Sequence, residues 1–361
     1  MNFSLWIKKL FFLNILFISL LMFTNYIIDP FNIFNSGFLK YPFQINERFV
    51  KVEYLTKNHQ KYNSYMFGSS RIGTTDTSTI EQYIPNSKFY NFTISTASQY
   101  DNYQHLKYML NHNFLIKNIY LQIDIKNFLL DNKPIQGDFL RQLHPAVVNK
   151  NKYLYFLNYL TILPIDNIKK KLKINYIDHS KATEFDINDT GRWYVHWKDK
   201  LIKENPKQFI KNEESLNINK ITRKHKDIYI KNNTNNLKKF VKLCKENNIN
   251  LIVFTTPHNY NMMNGFYLED YYKVLTSISE IVSFWDFSGY TQITCDNRNY
   301  YEKSHYLPKL GEKIAKTIFI KGKLSNYVTV KTINKHIEKL KLITDCSKLV
   351  IGYKFNFKEK K

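Results

Sequence analysis

Two short segments of this chain carry residue types and spacings that suit nucleophilic catalysis. The first, residues 65–71, is an apolar run that leads directly into Gly68-Ser69-Ser70-Arg71. Such a pattern predicts a short buried strand followed by a sharp turn. A serine on a turn between strand and helix is a common position for a nucleophile in α/β folds. Serines in a turn also satisfy backbone groups, and this segment alone favours that simpler interpretation.

The second segment is Glu302-Lys303-Ser304-His305, which places a carboxylate and an imidazole three residues apart. That spacing predicts that both side chains lie on one face of a helical turn. A carboxylate can orient an imidazole, and the imidazole can then deprotonate a serine that the fold brings close. We therefore predict Ser70 as nucleophile, His305 as general base and Glu302 as the orienting acid.

Together the two segments resemble the SGNH (GDSL-type) hydrolase superfamily, in which a Gly-x-Ser turn follows the first strand and an acid-x-x-His motif stands near the end. The resemblance extends over roughly residues 29–320. It is greater to membrane-anchored envelope proteins with a Gly-Ser-Ser-Arg turn than to D-alanyl-transfer proteins or alginate O-acetyltransferases. By this resemblance Ser70 also contributes its backbone N–H to an oxyanion hole, Ser69 replaces the Asp of the first motif, and Glu302 replaces the usual Asp.

Two further motifs of that superfamily are altered here. Thr96 stands where a Gly normally supplies a backbone donor, and Asp124 stands where an Asn normally supplies a side-chain donor. An ionised carboxylate only accepts hydrogen bonds, and losing one oxyanion donor can cost roughly a hundred- to a thousand-fold in rate. Arg71 and Asn127 are alternative donors in this sequence.

The alternation of apolar runs and amphipathic segments predicts an α/β fold, a three-layer parallel sheet flanked by helices. The first predicted strand starts at Tyr65, and further strands cover 88–94, 116–125, 249–255 and 281–287. The predicted helices cover 47–57, 97–112, 234–246 and 270–280, and a closing helix covers 307–318. We expect a connector over 29–60, the α/β domain over 61–320 and a basic tail over 321–361 to which we assign no chemistry. Residues 129–233 interrupt the alternation and predict a mostly helical insertion, a lid or substrate platform.

The N-terminal segment predicts a membrane anchor. Leu10 to Ile28 are nineteen residues without a charge, long enough to cross a bilayer as a helix. Lys8 and Lys9 flank this run on one side only, which predicts a cytoplasmic N-terminus and a single-pass protein with its bulk exported. A cleaved signal peptide is the alternative, but the run is long for one and no small-x-small site follows it.

The composition of this 361-residue chain indicates which classes of binding partner suit it. Its net charge of +23 would suit a nucleic-acid binder, but the lysines are scattered and such a role conflicts with an anchor. A basic surface also suits anionic envelope polymers or lipids. Cys244, Cys295 and Cys346 show no metal-ligand spacing and argue neither for a disulfide framework nor for a zinc site. We find no phosphate loop or dinucleotide motif and expect no cofactor and no metal.

From the sequence we expect a membrane-anchored, extracytoplasmic serine esterase or O-acyltransferase that acts on an acylated glycan or envelope polysaccharide. The alternative is a non-catalytic envelope-assembly or glycan-binding protein with the same fold. His258 and Asp286 follow predicted strands and could line the cleft, although a structural role in a loop is commoner for such residues. Trp193 and Trp197 could stack on sugars, although core packing of the insertion is the simpler role.

Overall fold

A six-stranded sheet forms the centre of the computed structural model, which describes residues 3–131, 137–216, 222, 224–321 and 326–351. The strand order is β10-β7-β6-β3-β1-β2. All pairs are parallel except β10 with β7. These strands are β1 (Ser64–Phe67), β2 (Phe89–Asn91), β3 (Asn118–Ile123), β6 (Asn250–Thr255), β7 (Phe284–Trp285) and β10 (Tyr327–Val328). Two short antiparallel pairs lie outside it: β4 (Glu184–Phe185) with β5 (Trp193–Tyr194), and β8 (Tyr300–Glu302) with β9 (His305–Tyr306).

Helices precede, connect and follow the strands. They are α1 (Phe3–Ile28), α2 (Glu47–Asn58), α3 (Ser78–Glu81), α4 (Gln99–Asn111), α5 (Ile125–Phe128), α6 (Lys152–Thr161), α7 (Ile165–Tyr176), α8 (His196–Glu204), α9 (Pro206–Asn212), α10 (Asp227–Glu246), α11 (Tyr260–Met263), α12 (Leu268–Ser279), α13 (Pro308–Lys316) and α14 (Ile333–Leu342). The predicted α/β class, with a mostly parallel sheet flanked by helices and an N-terminal apolar helix, is confirmed.

Alternation of side chains along the central strands builds the three layers. Met66 on β1 packs in one apolar cluster with Ile80 of α3 and Ile314 of α13. The next residue, Phe67, points to the other face and meets Phe240 of α10 with ring centroids 5.4 Å apart. Successive strand residues face opposite ways, so a strand covered on both faces carries apolar residues on both.

Three features differ from the sequence-based expectations. Glu302 and His305 lie on a β-hairpin, β8–β9, and not on a helical turn. The segment expected as a tail carries β10 and α14, so part of it completes the sheet and the helical layer. Cys295 and Cys346 form a disulfide across 51 residues of sequence, whereas no framework was expected from three cysteines. Spacing alone could not identify this pair, because the two thiols meet only after the chain has folded.

The described residues divide into two compact units. Unit 1 comprises Met1–Lys57, Pro134–Ile187 and Trp193–Trp197, and unit 2 comprises Asn58–Lys133, Asn188–Arg192 and Lys198–Lys361. Unit 2 holds the six-stranded sheet and the β8–β9 hairpin. Unit 1 has its own apolar cluster, in which Phe31, Phe49, Tyr155 and Tyr159 are buried.

Helix α1 belongs to unit 1 and is long and apolar enough to cross a membrane, either as an anchor or as a signal sequence. It ends at Asp29-Pro30, where proline disfavours helix in the residue before it. The Asp29 carboxylate accepts hydrogen bonds from the N–H groups of Ile33, Phe34 and Asn35, at 2.8, 3.0 and 2.9 Å. The Asp29 side chain thereby fixes the direction in which the chain leaves the helix.

Candidate active site

The structure brings Ser70, His305 and Glu302 together in one hydrogen-bonded chain. Ser70 Oγ lies 2.8 Å from His305 Nε2, and His305 Nδ1 is hydrogen-bonded to Glu302 Oε1. A carboxylate only accepts, so Nδ1 carries a proton, and in the neutral ring Nε2 accepts from the Ser70 hydroxyl. The expected proximity of these three side chains is therefore present, while their catalytic roles stay predictions.

The turn at the end of β1 presents Ser70 because of Gly68. Gly68 has φ +143°, a conformation that L side chains rarely adopt. A Cβ atom there would lie 2.6 Å from Gln122 Oε1 and 2.9 Å from the Gln122 carbonyl oxygen. The absence of a side chain lets the turn lie directly against β3, and the N–H of Ser69 donates to Gln122 Oε1 at 2.9 Å.

Asn91, at the end of β2, holds the other side of this turn. Its Nδ2 lies within hydrogen-bonding distance of the carbonyl oxygens of Ile72, Gly73 and Thr75, at 3.2–3.4 Å. Sequence reasoning missed both Asn91 and Gln122. The sequence signal that could have found them is an amide residue near the carboxyl end of each of two apolar strands. A buried polar side chain needs hydrogen-bond partners, so such a residue indicates a specific contact.

A tight hairpin, rather than a helical turn, brings Glu302 and His305 together. They are opposite residues across the two-residue connection between β8 and β9, and cross-strand neighbours approach as closely as residues three apart on a helix. The N–H of Ser304 donates to Glu302 Oε2 at 2.9 Å, which holds the carboxylate on the turn. Tyr306, the next residue, is fully buried and anchors the hairpin in the sheet-side apolar cluster.

The electrostatics keep Glu302 ionised. Burial raises the pKa of its carboxyl, but the hydrogen bond with His305, the charge of His305, the N–H of Ser304 and the charge of Lys198 outweigh burial and lower the pKa to about 2. Lys198 Nζ itself lies 3.2 Å from Glu213 Oε2 and 3.5 Å from the carbonyl oxygen of Tyr301. Residues of the predicted insertion therefore support the acid–His hairpin, a role that its sequence did not indicate.

Ser69 and Arg71, expected at the cleft, are buried on either side of Ser70. Ser69 Oγ is 3.3 Å from Gln122 Oε1 and accepts a long bond, 3.5 Å, from the N–H of Arg71. The Arg71 guanidinium forms an ion pair with Asp124 at the end of β3. Burial lowers the pKa of Arg71 to about 10, while the negative charge of Glu302 acts in the opposite direction, so the guanidinium stays charged.

Asp124 acts as an acceptor in this arrangement. Besides pairing with Arg71, its Oδ1 accepts from the N–H groups of Lys126 and Asn127 and caps α5. His258 is fully buried, with Nε2 3.4 Å from Asp124 Oδ1. Burial and the charges of Arg71 and Lys126 hold the pKa of His258 well below its usual range. The side chain of Asn127, a candidate donor, is occupied with the carbonyl oxygen of Ala97 at 3.0 Å.

Thr96 has a backbone conformation that glycine adopts more readily than threonine. Its φ is +53°, in the left-handed region that glycine adopts readily and β-branched residues rarely do. Two residues earlier, Ile94 forms an isolated parallel bridge with Ser69, so the segment that follows β2 runs beside the serine turn. Strained residues of this kind concentrate at functional sites.

Asp286, which follows a predicted strand, takes a structural position. Asp286 accepts from Thr255 Oγ1 and Ser288 Oγ, both at 2.5 Å, and pairs with His336 Nε2 at 2.7 Å, which fixes α14 to the end of β7. Trp193 lies half-buried on β5 in unit 1. Among the residues that the structure describes, no group of three or more His, Cys, Asp or Glu side chains could hold a metal ion.

No family model matches the chain, and no curated protein matches it. What is shown is thus an α/β protein with a mostly parallel six-stranded sheet and an N-terminal apolar helix, at whose first strand a serine, a histidine and a glutamate form a hydrogen-bonded chain.

Proposed function

We propose that this protein is a membrane-anchored, extracytoplasmic serine esterase or O-acyltransferase of SGNH type that acts on an acylated envelope polysaccharide or related glycan. The observation that carries the proposal is the hydrogen-bonded chain from Ser70 through His305 to Glu302. Its three members come from opposite ends of the sequence, and a serine, its base and an orienting acid in that order are the parts of a nucleophilic mechanism.

In the proposed reaction Ser70 Oγ attacks the acyl carbonyl while His305 Nε2 takes the serine proton. Collapse of the tetrahedral intermediate breaks the bond to the sugar oxygen, which leaves with the proton held by His305. The acyl group is now on Ser70. Water then releases it as a carboxylic acid, or a second sugar hydroxyl receives it, and His305 again carries the proton. Glu302, ionised because its pKa is about 2, stabilises the imidazolium in both halves.

Oxyanion donors in this proposal are the backbone N–H groups of Ser70 and Thr96. Asp124 is not a suitable third donor, because it accepts from Arg71. The Asn127 amide already donates one of its two N–H groups to the carbonyl oxygen of Ala97. The Arg71 guanidinium is paired with Asp124, which offsets its charge, so the two backbone N–H groups stabilise the oxyanion in this proposal. Preorganised donors in a low-dielectric site stabilise a developing oxyanion more than they would in water.

The exported location has support besides α1. Disulfides persist in oxidising compartments and are rare in the cytosol, and Cys295 is bonded to Cys346. Together with Lys8 and Lys9 on one flank of α1, this favours an uncleaved anchor with a cytoplasmic N-terminus and the chain after α1 outside.

The test is hydrolysis or acyl transfer by the full-length protein in detergent, with acetylated glycans and a small aryl ester as donors. Ser70→Ala is expected to abolish turnover, because the attacking hydroxyl is gone. Ser69→Ala is expected to cost tenfold or less, because its hydroxyl makes only bonds of 3.3 and 3.5 Å, and one neutral hydrogen bond contributes about 0.5–1.5 kcal/mol. An inactive Ser69→Ala beside an active Ser70→Ala would assign the nucleophile to Ser69 instead.

A non-catalytic glycan-binding or envelope-assembly protein is the second candidate, favoured by one observation. The position that normally supplies the amide donor is an acceptor, Asp124, already paired with Arg71. If wild type is inactive on every acyl donor while the folded protein binds glycan equally well with and without Ser70→Ala, this second function replaces the first.

A further inference from the structure

Helix α6 and the link to α7 present an apolar face that no described residue covers. It comprises Tyr153, Leu154 and Leu157 on α6, followed by Leu163 and Ile165, with exposed fractions from 43% to 85%. We call these five residues the α6 apolar face. The opposite side of α6 is buried, since Tyr155 and Tyr159 pack in the apolar cluster of unit 1. A contiguous exposed apolar surface marks an interaction site.

The α6 apolar face is joined to the end of the membrane-spanning candidate α1. Asn25, fully buried in the last turn of α1, donates through Nδ2 to the carbonyl oxygens of Leu160 and Ile162, at 2.7 and 2.6 Å. Leu160 is in the last turn of α6. At 1.5 Å per residue, Asn25 is only about 5 Å from the end of α1 at Ile28. The C-terminal end of α6 therefore lies beside the last turn of the apolar helix.

Helix α7 is fastened to the same junction. Lys171 Nζ, buried, donates to the carbonyl oxygen of Asp29 at 2.6 Å and to Asn32 Oδ1 at 2.9 Å. Burial lowers the pKa of Lys171, and the charge of Asp29 opposes that shift. With α6 held by Asn25 and α7 held by Lys171, the α6 apolar face has a fixed position relative to α1.

Charge around the face favours a lipid surface. Lys150 precedes α6, Lys152 begins it, and Lys169 and Lys170 follow Ile165 on α7; all four are exposed. Two acids lie nearby, Glu53, which pairs with Lys152 at 3.0 Å, and the exposed Asp166. Helix α6 itself contains no acidic residue. Lysines beside an apolar helical face, with an aromatic such as Tyr153, match the headgroup layer of a bilayer, where lysine ammonium groups reach lipid phosphates and apolar side chains enter the acyl boundary.

We propose that the α6 apolar face is a membrane-docking surface, which lies in the outer headgroup layer of the same bilayer that α1 crosses. The occupant is lipid, because Asn25 holds the C-terminal end of α6 beside the last turn of the proposed anchor α1 and exposed lysines flank the face. A second copy of the chain would have to displace that lipid. The proposal rests on the anchor in the proposed function and is independent of chemistry at Ser70.

The test uses the full-length protein in single-copy nanodiscs, with a nitrobenzoxadiazole fluorophore on one introduced cysteine. Native Cys244 is buried, and Cys295 and Cys346 are bonded to each other, so none of the three takes the label. The variants are Leu157→Cys on the face, Leu13→Cys within α1 and Leu115→Cys, an exposed leucine of unit 2, as the matched control.

We expect the label at position 157 to show blue-shifted emission and severalfold stronger quenching by headgroup-proximal doxyl lipids than the label at 115, which iodide quenches instead. If the labels at positions 157 and 115 show the same emission and the same quenching by iodide, α6 has no docking surface. A blue shift at 157 without doxyl quenching would also overturn it, because protein rather than lipid would cover the face. If doxyl lipids do not quench the label at position 13, α1 is not a membrane anchor. If they quench the label at 13 but not the label at 157, the anchor stands and the docking surface is rejected.

Discussion

At the scale of single residues, the candidate site keeps its charges through paired contacts. Arg71 and Asp124 are both nearly fully buried, and they offset each other's charge beside the nucleophile. A buried ion pair seldom adds stability over apolar residues of the same size. Its presence next to Ser70 is therefore better explained by the chemistry of the turn than by folding.

Thr96→Gly is expected to stabilise the protein and to leave activity unchanged or higher. The left-handed conformation of Thr96 costs about 1 kcal/mol or more for a β-branched residue, and glycine removes that strain while keeping the backbone N–H. Thermal unfolding and ester hydrolysis measure the two effects. Ser95→Gly is the control, because its neighbouring position is exposed without a positive φ, and it should lose a little stability. A destabilised Thr96→Gly would contradict the strain argument.

The depressed pKa of Glu302 predicts a defined acid sensitivity. A carboxyl whose pKa falls from 4.5 to about 2 on folding contributes stability that is fully present above pH 4.5 and is lost as the pH falls towards 2. The contribution is on the order of 3 kcal/mol for a shift of that size, at about 1.4 kcal/mol for each pKa unit. Urea unfolding measured between pH 7 and pH 2 should show this loss in wild type. Glu302→Gln, which cannot ionise, should lose less over the same interval; equal losses would mean that other carboxyls dominate.

At the scale of elements, the sequence predicted what depends on local patterns. The strand at Tyr65, the helices after it and the apolar strand ending at Thr255 follow from periodicity, and all have counterparts in the sheet or its helical layers. The β8–β9 hairpin does not follow from the sequence pattern, because an acid-x-x-His spacing fits a helical turn and a tight hairpin equally well. Only the pairing of Tyr300 with Tyr306 distinguishes them, and that is a tertiary choice.

The turn after β1 should be intolerant of any side chain at Gly68. In Gly68→Ala the new Cβ meets Gln122 at 2.6–2.9 Å and the backbone is also strained, so we expect a loss of about 2–4 kcal/mol and of most activity. Gly37→Ala is the matched control, with φ +74° and no atom within 4 Å of the added Cβ. It should cost only about 1 kcal/mol, the strain alone. Chemical denaturation compares the two, and equal losses would show that the contact with Gln122 does not matter.

At the scale of the whole molecule, the parts that the sequence did not predict are those made by distant residues. The α14 segment follows a lysine-rich stretch with weak patterning, yet His336 on it reaches Asp286 at the end of β7. Cys346, beyond α14, then reaches Cys295, which precedes β8 in the chain. The C-terminal segment is thereby tied twice to unit 2, once through a hydrogen bond to the sheet and once covalently to the loop that leads to Glu302 and His305.

If the protein is exported, the Cys295–Cys346 disulfide should be present in the cell. We expect a C-terminal reporter that works only outside the cytoplasm to be active, and Cys295 and Cys346 to resist a thiol reagent in denaturant until a reductant is added. Cys346→Ser should lower the free energy of unfolding by up to about 4 kcal/mol for a loop of 51 residues, and should reduce turnover by loosening the approach to the β8–β9 hairpin. Cys295→Ser and the double variant should lose the same amount, because either change removes the single bond. A silent reporter together with three freely reactive thiols would place the protein inside the cell and remove the support that the disulfide gives to an exported enzyme.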